Sequence, residues 1–323
     1  MDKLAFITGN TFVYWTSIVY CLACATAICF FLAFYLNRTG NAAAGFAAVP
    51  VSIALGIVLS RFVHWYSRTD SYSGFLAAMS EYTYGGYALI GVFAGCILAA
   101  SLLRLIRLHR SIPAMLDCMC LAGAAGIAVG RLASLFNSSA RGQIIQSIRS
   151  LPLVYPVTNV VSGATEYRLA TFMLQALVAM VIFITLSVYY LKHMNSLRDG
   201  DICLMFLLIY GASQVILDST RYDSLFFRSN GFVSIVQVFS AIVLVLAIVL
   251  FSVRMVKNQG FKWWNVPLWV LIAACIGGVG YMEYYVQRHG DQALFAYSIM
   301  TACLAAVVAL TLIIRMIAQK VKM

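Results

Sequence analysis

Arg131 stands where a positive charge is costly. It belongs to Gly130–Gly142, which reads G-R-L-A-S-L-F-N-S-S-A-R-G and closes an apolar run that begins near Ile112. We interpret it as the one Lys or Arg that lies well inside an apolar segment. At the centre of a membrane helix an arginine costs about 2.5–3.5 kcal/mol. That cost implies a partner such as an acid or carbonyl groups, a water-filled cavity, or a bound anion, and a guanidinium matches a phosphate well.

A second set of polar residues lies in Tyr210–Arg221, which reads Y-G-A-S-Q-V-I-L-D-S-T-R. Gln214 precedes Asp218 by four residues, and Asp218 precedes Arg221 by three. In a helix these spacings predict that the three side chains share one face. Asp218 could then pair with Arg131 or Arg221, and the alternative is an ordinary ion pair at a helix end.

Glycines and a buried amide form two further candidate sets. Gly85 opens the segment G-G-Y-A-L-I-G-V-F-A-G, in which Gly86, Gly91 and the last glycine predict a smooth surface. Such a surface allows close approach of a lipid, or of a neighbouring helix alone. Gln237 lies in a later apolar run and needs a hydrogen-bond partner there, so it binds a ligand or simply holds helices together.

The composition places these side chains in a membrane protein. The chain is 63% hydrophobic and only 10% charged, which predicts an all-α, polytopic integral membrane protein. We expect the first apolar run to be retained, because no cleavable signal peptide precedes it. About nine transmembrane helices are predicted, at residues 12–36, 44–66, 84–107, 112–136, 168–191, 202–217, 230–254, 264–284 and 293–317.

The distribution of basic residues predicts the orientation of these spans. The odd-numbered loops and the C-terminus carry twelve Lys or Arg against two acids, whereas the N-terminus and even-numbered loops carry nine against eight. Because cytoplasmic loops are enriched in Lys and Arg, we expect the N-terminus outside and the C-terminus in the cytoplasm. The polar sets above would then lie at the outer leaflet.

The long loop at residues 137–167 carries a short periodic pattern. Apolar residues share one helical face of Gln143–Leu151, which predicts an interfacial helix, with a plain packed loop as the alternative. The nine cysteines all fall in apolar stretches. We interpret them as small buried side chains and expect no metal and no cofactor.

The order of these motifs resembles the prolipoprotein diacylglyceryl transferase family, whose members move diacylglyceryl from phosphatidylglycerol onto the cysteine thiol of prolipoproteins. That family carries G-R-x-G-N-F-x-N-G-E-x-x-G, which Gly130, Arg131, Asn137 and Gly142 fit, with Phe136 displaced by one place. Its glycine segment is matched by Gly85, Gly86 and Gly91, and its Q-x-x-S motif by Gln237 and Ser240. In its Y-G…E-x-x-R motif Tyr210, Gly211 and Arg221 match, and Asp218 stands in place of the glutamate.

Two departures bear on the chemistry. Ile90 stands at the family histidine and Gln214 at the first family arginine. His64, Glu81, Asp218 and Tyr84 are the titratable groups that could replace a missing base. The resemblance covers about residues 10–256, so we predict a transferase-like core of seven helices at residues 1–257 and an additional two-helix hairpin at residues 258–323.

The resemblance implies a membrane transferase of the bacterial cell membrane. Arg131 and Arg221 would hold the phosphate and Asp218 would orient one of them, as catalytic residues. Substrate-binding roles are implied for Asn137, Gly85, Gly86, Gly91, Gly142, Tyr210, Gln214 and Gln237. The expected partners are phosphatidylglycerol, prolipoprotein signal peptides and the bilayer, with no nucleic acid. The alternatives are a catalytically silent lipid- or lipoprotein-binding relative and, less favoured, a transporter.

Overall fold

The computed structural model describes residues 4–8, 11–68, 72–81, 86–137, 141–145, 153–158, 163–226, 233–288 and 292–319. These form ten helices and four strands. Their order is β1 (Leu4–Thr8), β2 (Thr11–Tyr14), α1 (Trp15–Thr39), α2 (Ala42–Ser67), α3 (Phe75–Ser80), α4 (Leu89–Leu105), α5 (Ile112–Arg131), β3 (Val154–Thr158), β4 (Thr165–Leu169), α6 (Thr171–His193), α7 (Asp201–Ser219), α8 (Ile235–Gln259), α9 (Asn265–Arg288) and α10 (Ala293–Gln319).

Eight of these helices are long and apolar enough to cross a membrane, and α4 is a ninth, shorter apolar helix of 17 residues. The protein is therefore an all-α, polytopic membrane protein, as predicted. Several predicted boundaries were wrong by four or five residues, and the starts of two helices are examples. The third span was expected from residue 84, but α4 begins at Leu89, and the seventh was expected from residue 230, but α8 begins at Ile235.

Local sequence signals explain where several helices begin and end. α1 ends at Gly40, whose φ of 65° is the left-handed conformation that glycine favours at a helix C-terminus. The side chain of Asn41 then caps α2 by accepting a hydrogen bond from Ala44 N at 3.1 Å. Ser111 caps α5 in the same way, and Pro113 occupies the first turn, where a missing N–H costs nothing.

The chain divides into two compact units, Met1–Phe206 with Thr220–Val236, and Leu207–Ser219 with Gln237–Met323. In the first unit α4 lies against α2 at distances that only glycine permits. A Cβ on Gly91 would come within 2.3 Å of the backbone of Ser60, and one on Gly95 within 2.6 Å of the backbone N of Gly56. On this face the glycines therefore serve helix packing.

A buried carboxylate links three segments of the first unit. Asp117, fully buried near the start of α5, pairs with Arg38 at 2.9 Å. It also accepts backbone hydrogen bonds from Gly200 N and Cys203 N, both at 2.8 Å. Asp117 therefore joins the end of α1 to the start of α7.

A small β structure lies beside the helices of the first unit. β3 and β4 form an antiparallel pair, and residues 141–145 add a further extended segment through a bridge between Ile144 and Arg168. The predicted interfacial helix was therefore wrong at residues 143–145, because their backbone hydrogen bonds go to neighbouring strands. Residues 146–151 of that prediction lie outside the described residues.

The second unit contains a C-terminal hairpin, defined here as α9 and α10. Its far end is tied to the end of α8, where Asn258 Nδ2 donates to Ala318 O at 2.9 Å and Gln259 Nε2 donates to Ile317 O at 2.6 Å. The domain boundary at residue 257 stays a prediction.

All nine cysteines are free thiols, of which three are exposed, two are buried and four are half-buried. Cys118 and Cys120 are buried, as predicted. Burial was wrongly predicted for Cys21, Cys24 and Cys29, which lie exposed on α1. Thiols on an exposed helix face are consistent with a surface that meets lipid, since a free cysteine behaves as a small apolar group.

Candidate functional site

Arg131 is the last residue of α5, at the point where the helix tightens into the 3-10 turn Leu132–Leu135. Trp15, at the start of α1, stacks on Phe136 just beyond this turn, with ring centroids 5.9 Å apart. Arg131 as a residue is half-buried and, among the residues that the structure describes, its guanidinium forms no hydrogen bond or ion pair. Its donors are therefore available to a ligand.

Arg221 does not lie on the helical face that the sequence predicted. α7 ends at Ser219, so the expected stacking of Gln214, Asp218 and Arg221 was wrong at its last member. Arg221 is extended and forms an antiparallel bridge with Gly142. Two flanking hydrogen bonds fix this pairing, from Gln143 N to Thr220 O at 3.0 Å and from Tyr222 N to Arg141 O at 2.9 Å.

The side chain of Arg221 is oriented by a nearby acid. Its Nε and Nη2 donate to Asp223 Oδ1 at 3.1 and 3.0 Å. These contacts with one carboxylate oxygen fix the plane of the guanidinium.

Gly142 is required at its position for steric reasons. A Cβ there would lie 2.6 Å from Leu169 O and 2.7 Å from Thr171 Oγ1. Gly142 N donates to the same Leu169 O at 2.9 Å, so the backbone passes directly against the end of β4. The glycine of the first motif is thus what lets its segment reach Arg221.

Arg168, which the sequence did not single out, lies in the same β structure. It donates to Glu166 Oε2 through Nε at 3.1 Å and Nη2 at 2.7 Å. Its guanidinium also stacks on Tyr222, 4.7 Å from the ring centroid. The signal was the spacing of Glu166 and Arg168, because residues two apart in a strand point to the same side.

Arg61 was also missed, because it lies within an apolar run where Arg131 alone was expected. It is 2% exposed in α2 and its donors go to backbone carbonyls: Nε to Ala78 O at 2.6 Å, Nη1 to Gly86 O at 2.9 Å, and Nη2 to Glu81 O. Its guanidinium also lies over the ring of Tyr87. A second basic residue is therefore set deep in an apolar segment.

Gly86 precedes α4 in the left-handed conformation, with φ of 92°. A Cβ there would come within 2.5 Å of His64 Cε1, so His64 is the titratable side chain beside this glycine. Ile90, at the family's histidine position, lies half-buried in the first turn of α4. Gly85 and Tyr84 lie outside the described residues.

The remaining candidates belong to the second unit. Tyr210, Gln214 and Asp218 are all buried on α7. Gln237, buried on α8, donates through Nε2 to Val215 O and to Glu283 Oε1, both at 3.2 Å. Glu283 comes from the C-terminal hairpin and was not among the predicted site residues.

The described features define a polytopic membrane protein that carries a half-buried arginine and a glycine–arginine backbone bridge. Comparison with known proteins places it more narrowly. Residues 3–253 match the sequence profile of the prolipoprotein diacylglyceryl transferase family, and the chain belongs to that family. The predicted resemblance is thereby confirmed over nearly the same residues.

Curated relatives carry the family's activity in their names. A phosphatidylglycerol–prolipoprotein diacylglyceryl transferase of Streptococcus equi subsp. zooepidemicus is 28% identical over 138 residues, which are 43% of this chain and 51% of that protein. One from Streptococcus pyogenes is 25% identical over 138 residues, with the same shares of the two chains. This chain spans about half the length of the curated relatives it matches.

Proposed function

We propose that this protein transfers a diacylglyceryl group from phosphatidylglycerol to the thiol of a prolipoprotein cysteine, or to another acceptor. Family membership and the relatives' names support the reaction. The observation that carries the proposal is the bridge between Gly142 and Arg221. It brings together two motif segments that lie about eighty residues apart in the sequence, as a shared lipid site requires.

Arg131 and Arg221 are the proposed phosphate ligands. Arg131 offers a guanidinium without a partner among the described residues, and Arg221 offers one whose plane Asp223 fixes. Forked donors match the oxygens of a phosphodiester. Asp218, buried near the end of α7, remains a proposed orienting residue. Asn137, Gly86, Tyr210, Gln214 and Gln237 remain proposed substrate contacts, whereas Gly91 is occupied by its packing against α2.

The reaction places its main demand on the leaving group. The cysteine sulfur forms a bond to the glycerol carbon of the lipid, and the bond from that carbon to the phosphate oxygen breaks. Negative charge moves from the sulfur to the departing glycerol phosphate, while the thiol proton passes to a base. Fixed guanidinium donors stabilise the charge that develops on the phosphate, which is commonly a large part of catalysis.

The test is a transfer assay in proteoliposomes, with labelled phosphatidylglycerol and a peptide that contains the acceptor cysteine. Arg131→Ala and Arg221→Ala should each lower transfer by about 100-fold or more. Arg110→Ala is the matched control, because Arg110 is exposed and follows the C-terminal end of α4. This variant should transfer at the wild-type rate. Unchanged activity in both test variants would exclude the phosphate-clamp role.

Complementation separates an active enzyme from a silent relative. Expression should restore growth to a strain depleted of its own lipoprotein transferase. Absence of rescue by a correctly inserted protein would favour the lipid-binding alternative, which the departures at Ile90 and Gln214 motivate.

We also propose that the N-terminus lies outside and the C-terminus in the cytoplasm of a bacterial cell. The excess of basic residues in the odd-numbered loops supports this orientation. A fluorescent protein fused to the C-terminus, of a kind that matures only in the cytoplasm, should fluoresce. A dark fusion of full length would reverse the orientation.

A further inference from the structure

The second unit contains a polar cluster contributed by four helices: Ser219 of α7, Gln237 of α8, Glu283 of α9 and Tyr297 of α10. Ser219 Oγ donates to Glu283 Oε2 at 3.0 Å, and Gln237 Nε2 donates to Glu283 Oε1 at 3.2 Å. Tyr297 OH donates to Ser219 O at 3.3 Å. The carboxylate is therefore the centre of the cluster.

Glu283 lies outside the part of the chain that defines the family. The family profile ends at residue 253, whereas Glu283 belongs to the C-terminal hairpin. Yet it binds Gln237, one of the residues that match a family motif. The hairpin therefore supplies a charged group to a family-motif side chain, which a passive pair of added helices would not do.

The depth of Glu283 fits the headgroup layer. It lies three residues from the end of the candidate span Asn265–Val286, which corresponds to about 4.5 Å along a helix. An ionisable residue inside a membrane span is costly and commonly functional. At this depth the available ligands are the phosphate and the polar headgroup of a phospholipid.

The chemistry of the cluster favours the polar headgroup over the phosphate. An ionised carboxylate can only accept hydrogen bonds, and it repels a phosphate. The complementary groups are hydroxyl donors. Gln237 is fixed in orientation, because its two N–H bonds go to Glu283 Oε1 and Val215 O. A rigid amide beside a carboxylate is suited to the hydroxyls of a polyol.

We propose that this cluster recognises the glycerol hydroxyls of the phosphatidylglycerol headgroup, with Glu283 as the specificity-determining residue. The inference rests on the proposed function for the identity of the lipid. It adds that the C-terminal hairpin, which the family profile leaves out, takes part in choosing the donor lipid.

The experiment compares two anionic lipids that share the phosphodiester and differ in hydroxyls. Wild-type protein in phosphatidylcholine nanodiscs is titrated with phosphatidylglycerol and with phosphatidylmethanol, which lacks headgroup hydroxyls. Wild type should prefer phosphatidylglycerol by about tenfold or more, since hydrogen bonds to a charged group are strong. Glu283→Ala should remove that preference and leave the affinity for phosphatidylmethanol unchanged.

Two further variants keep the result decisive if Glu283→Ala does not fold. Glu283→Gln preserves side-chain size and should reduce the preference, because a neutral acceptor binds hydroxyls more weakly. Asn258→Ala is the control, since Asn258 holds the other end of the same hairpin, and it should keep the preference. A purely structural Glu283 would lower both affinities together, and that result, or equal binding of both lipids by wild type, overturns the inference.

The same preparations are assayed for transfer, which separates this inference from the proposed function. Selective binding without transfer would remove the transferase proposal and leave lipid selection by Glu283 in place. Transfer without lipid preference would do the reverse. Wild-type protein that neither binds nor transfers would overturn both.

Discussion

Arg61 and Arg131 are two arginines in membrane-spanning helices of the same unit, and they are treated in opposite ways. Arg61 is almost completely buried and directs its donors at backbone carbonyls of Ala78, Glu81 and Gly86. Arg131 is half-buried and has no partner among the described residues. The first cation is satisfied by backbone carbonyls, whereas the second has no protein partner within the part of the chain that the structure describes.

A charge in an apolar segment can serve the fold or a ligand. The insertion cost is similar for both residues, so cost alone does not identify a ligand site. What distinguishes them is where the compensating oxygen atoms come from. Arg61 uses backbone oxygens to hold the segment from α3 to α4, and this use is structural. Arg131 requires oxygens from outside the described protein, which suits a lipid phosphate.

The largest effect is expected for Arg61→Ala. It leaves buried carbonyls of the α3–α4 segment without donors, and we expect a loss of about 3 kcal/mol or more in stability. Thermal unfolding in detergent, followed by size-exclusion chromatography, measures the loss. Arg68→Ala is the control, because Arg68 is exposed at the end of α2. Equal melting of the two variants would contradict a structural role for Arg61.

Arg131→Ala should change stability little and transfer strongly. We expect a change in stability within about 0.5 kcal/mol, the usual range where no special interaction is lost, together with the loss of transfer proposed above. Arg131→Lys keeps the charge but not the fork, so transfer should fall to an intermediate level. A drop in melting temperature as large as that of Arg61→Ala would end the contrast between the two residues.

Gly86→Ala tests the acceptor side of the Arg61 contacts. The change strains a backbone with φ of 92° and drives a Cβ against His64 and Arg61, so we expect about 2–3 kcal/mol of destabilisation. Gly163→Ala is a matched control, because Gly163 has φ of 68° and nothing within 4 Å of its added Cβ. It should cost only the backbone strain, about 1 kcal/mol. Thermal melts of the two variants that coincide would show that the crowding is unimportant.

A smaller loss of stability than for Arg61→Ala or Gly86→Ala is expected when the cation–π contact of Arg168 is removed. It pairs with Glu166 and stacks on Tyr222, whose side chain is 70% exposed. Tyr222→Leu removes the cation–π contact and should cost about 0.5–1 kcal/mol. Chemical denaturation measures it, with Tyr87→Leu as the comparison on Arg61. Because Arg61 is more deeply buried than Arg168, Tyr87→Leu should cost more than Tyr222→Leu, and the opposite result would contradict this expectation.

Hydropathy was sufficient to predict the spans, because a membrane helix needs a long apolar run and little else. It failed at the helix ends, where a boundary can shift by one turn with little change in hydropathy. The helical spacing of Asp218 and Arg221 was wrong because α7 stops at Ser219 and the chain then pairs with Gly142. Strand pairing of that kind joins residues that are distant in sequence. The periodicity of apolar residues reports only local structure and cannot predict such pairing.

The site was predictable in its residues and not in its contacts. Arg131, Gly142 and Arg221 were found through their motifs, since residue type and order survive in the sequence. Arg61 was missed because one charge in a long apolar run resembles a helix end, and its partners are backbone carbonyls. Glu283 was missed because it lies beyond the family's motifs and meets Gln237 only through folding.

The shortness of α4 has a consequence for the surrounding bilayer. Its 17 residues rise about 26 Å, whereas the hydrocarbon layer of a bilayer is about 30 Å thick. Gly86–Ala88 precede the helix and lie outside it. Hydrophobic mismatch of this size is relieved by local thinning of the membrane. Where lipid meets α4, we therefore expect the headgroups to lie deeper in the bilayer than beside the longer helices.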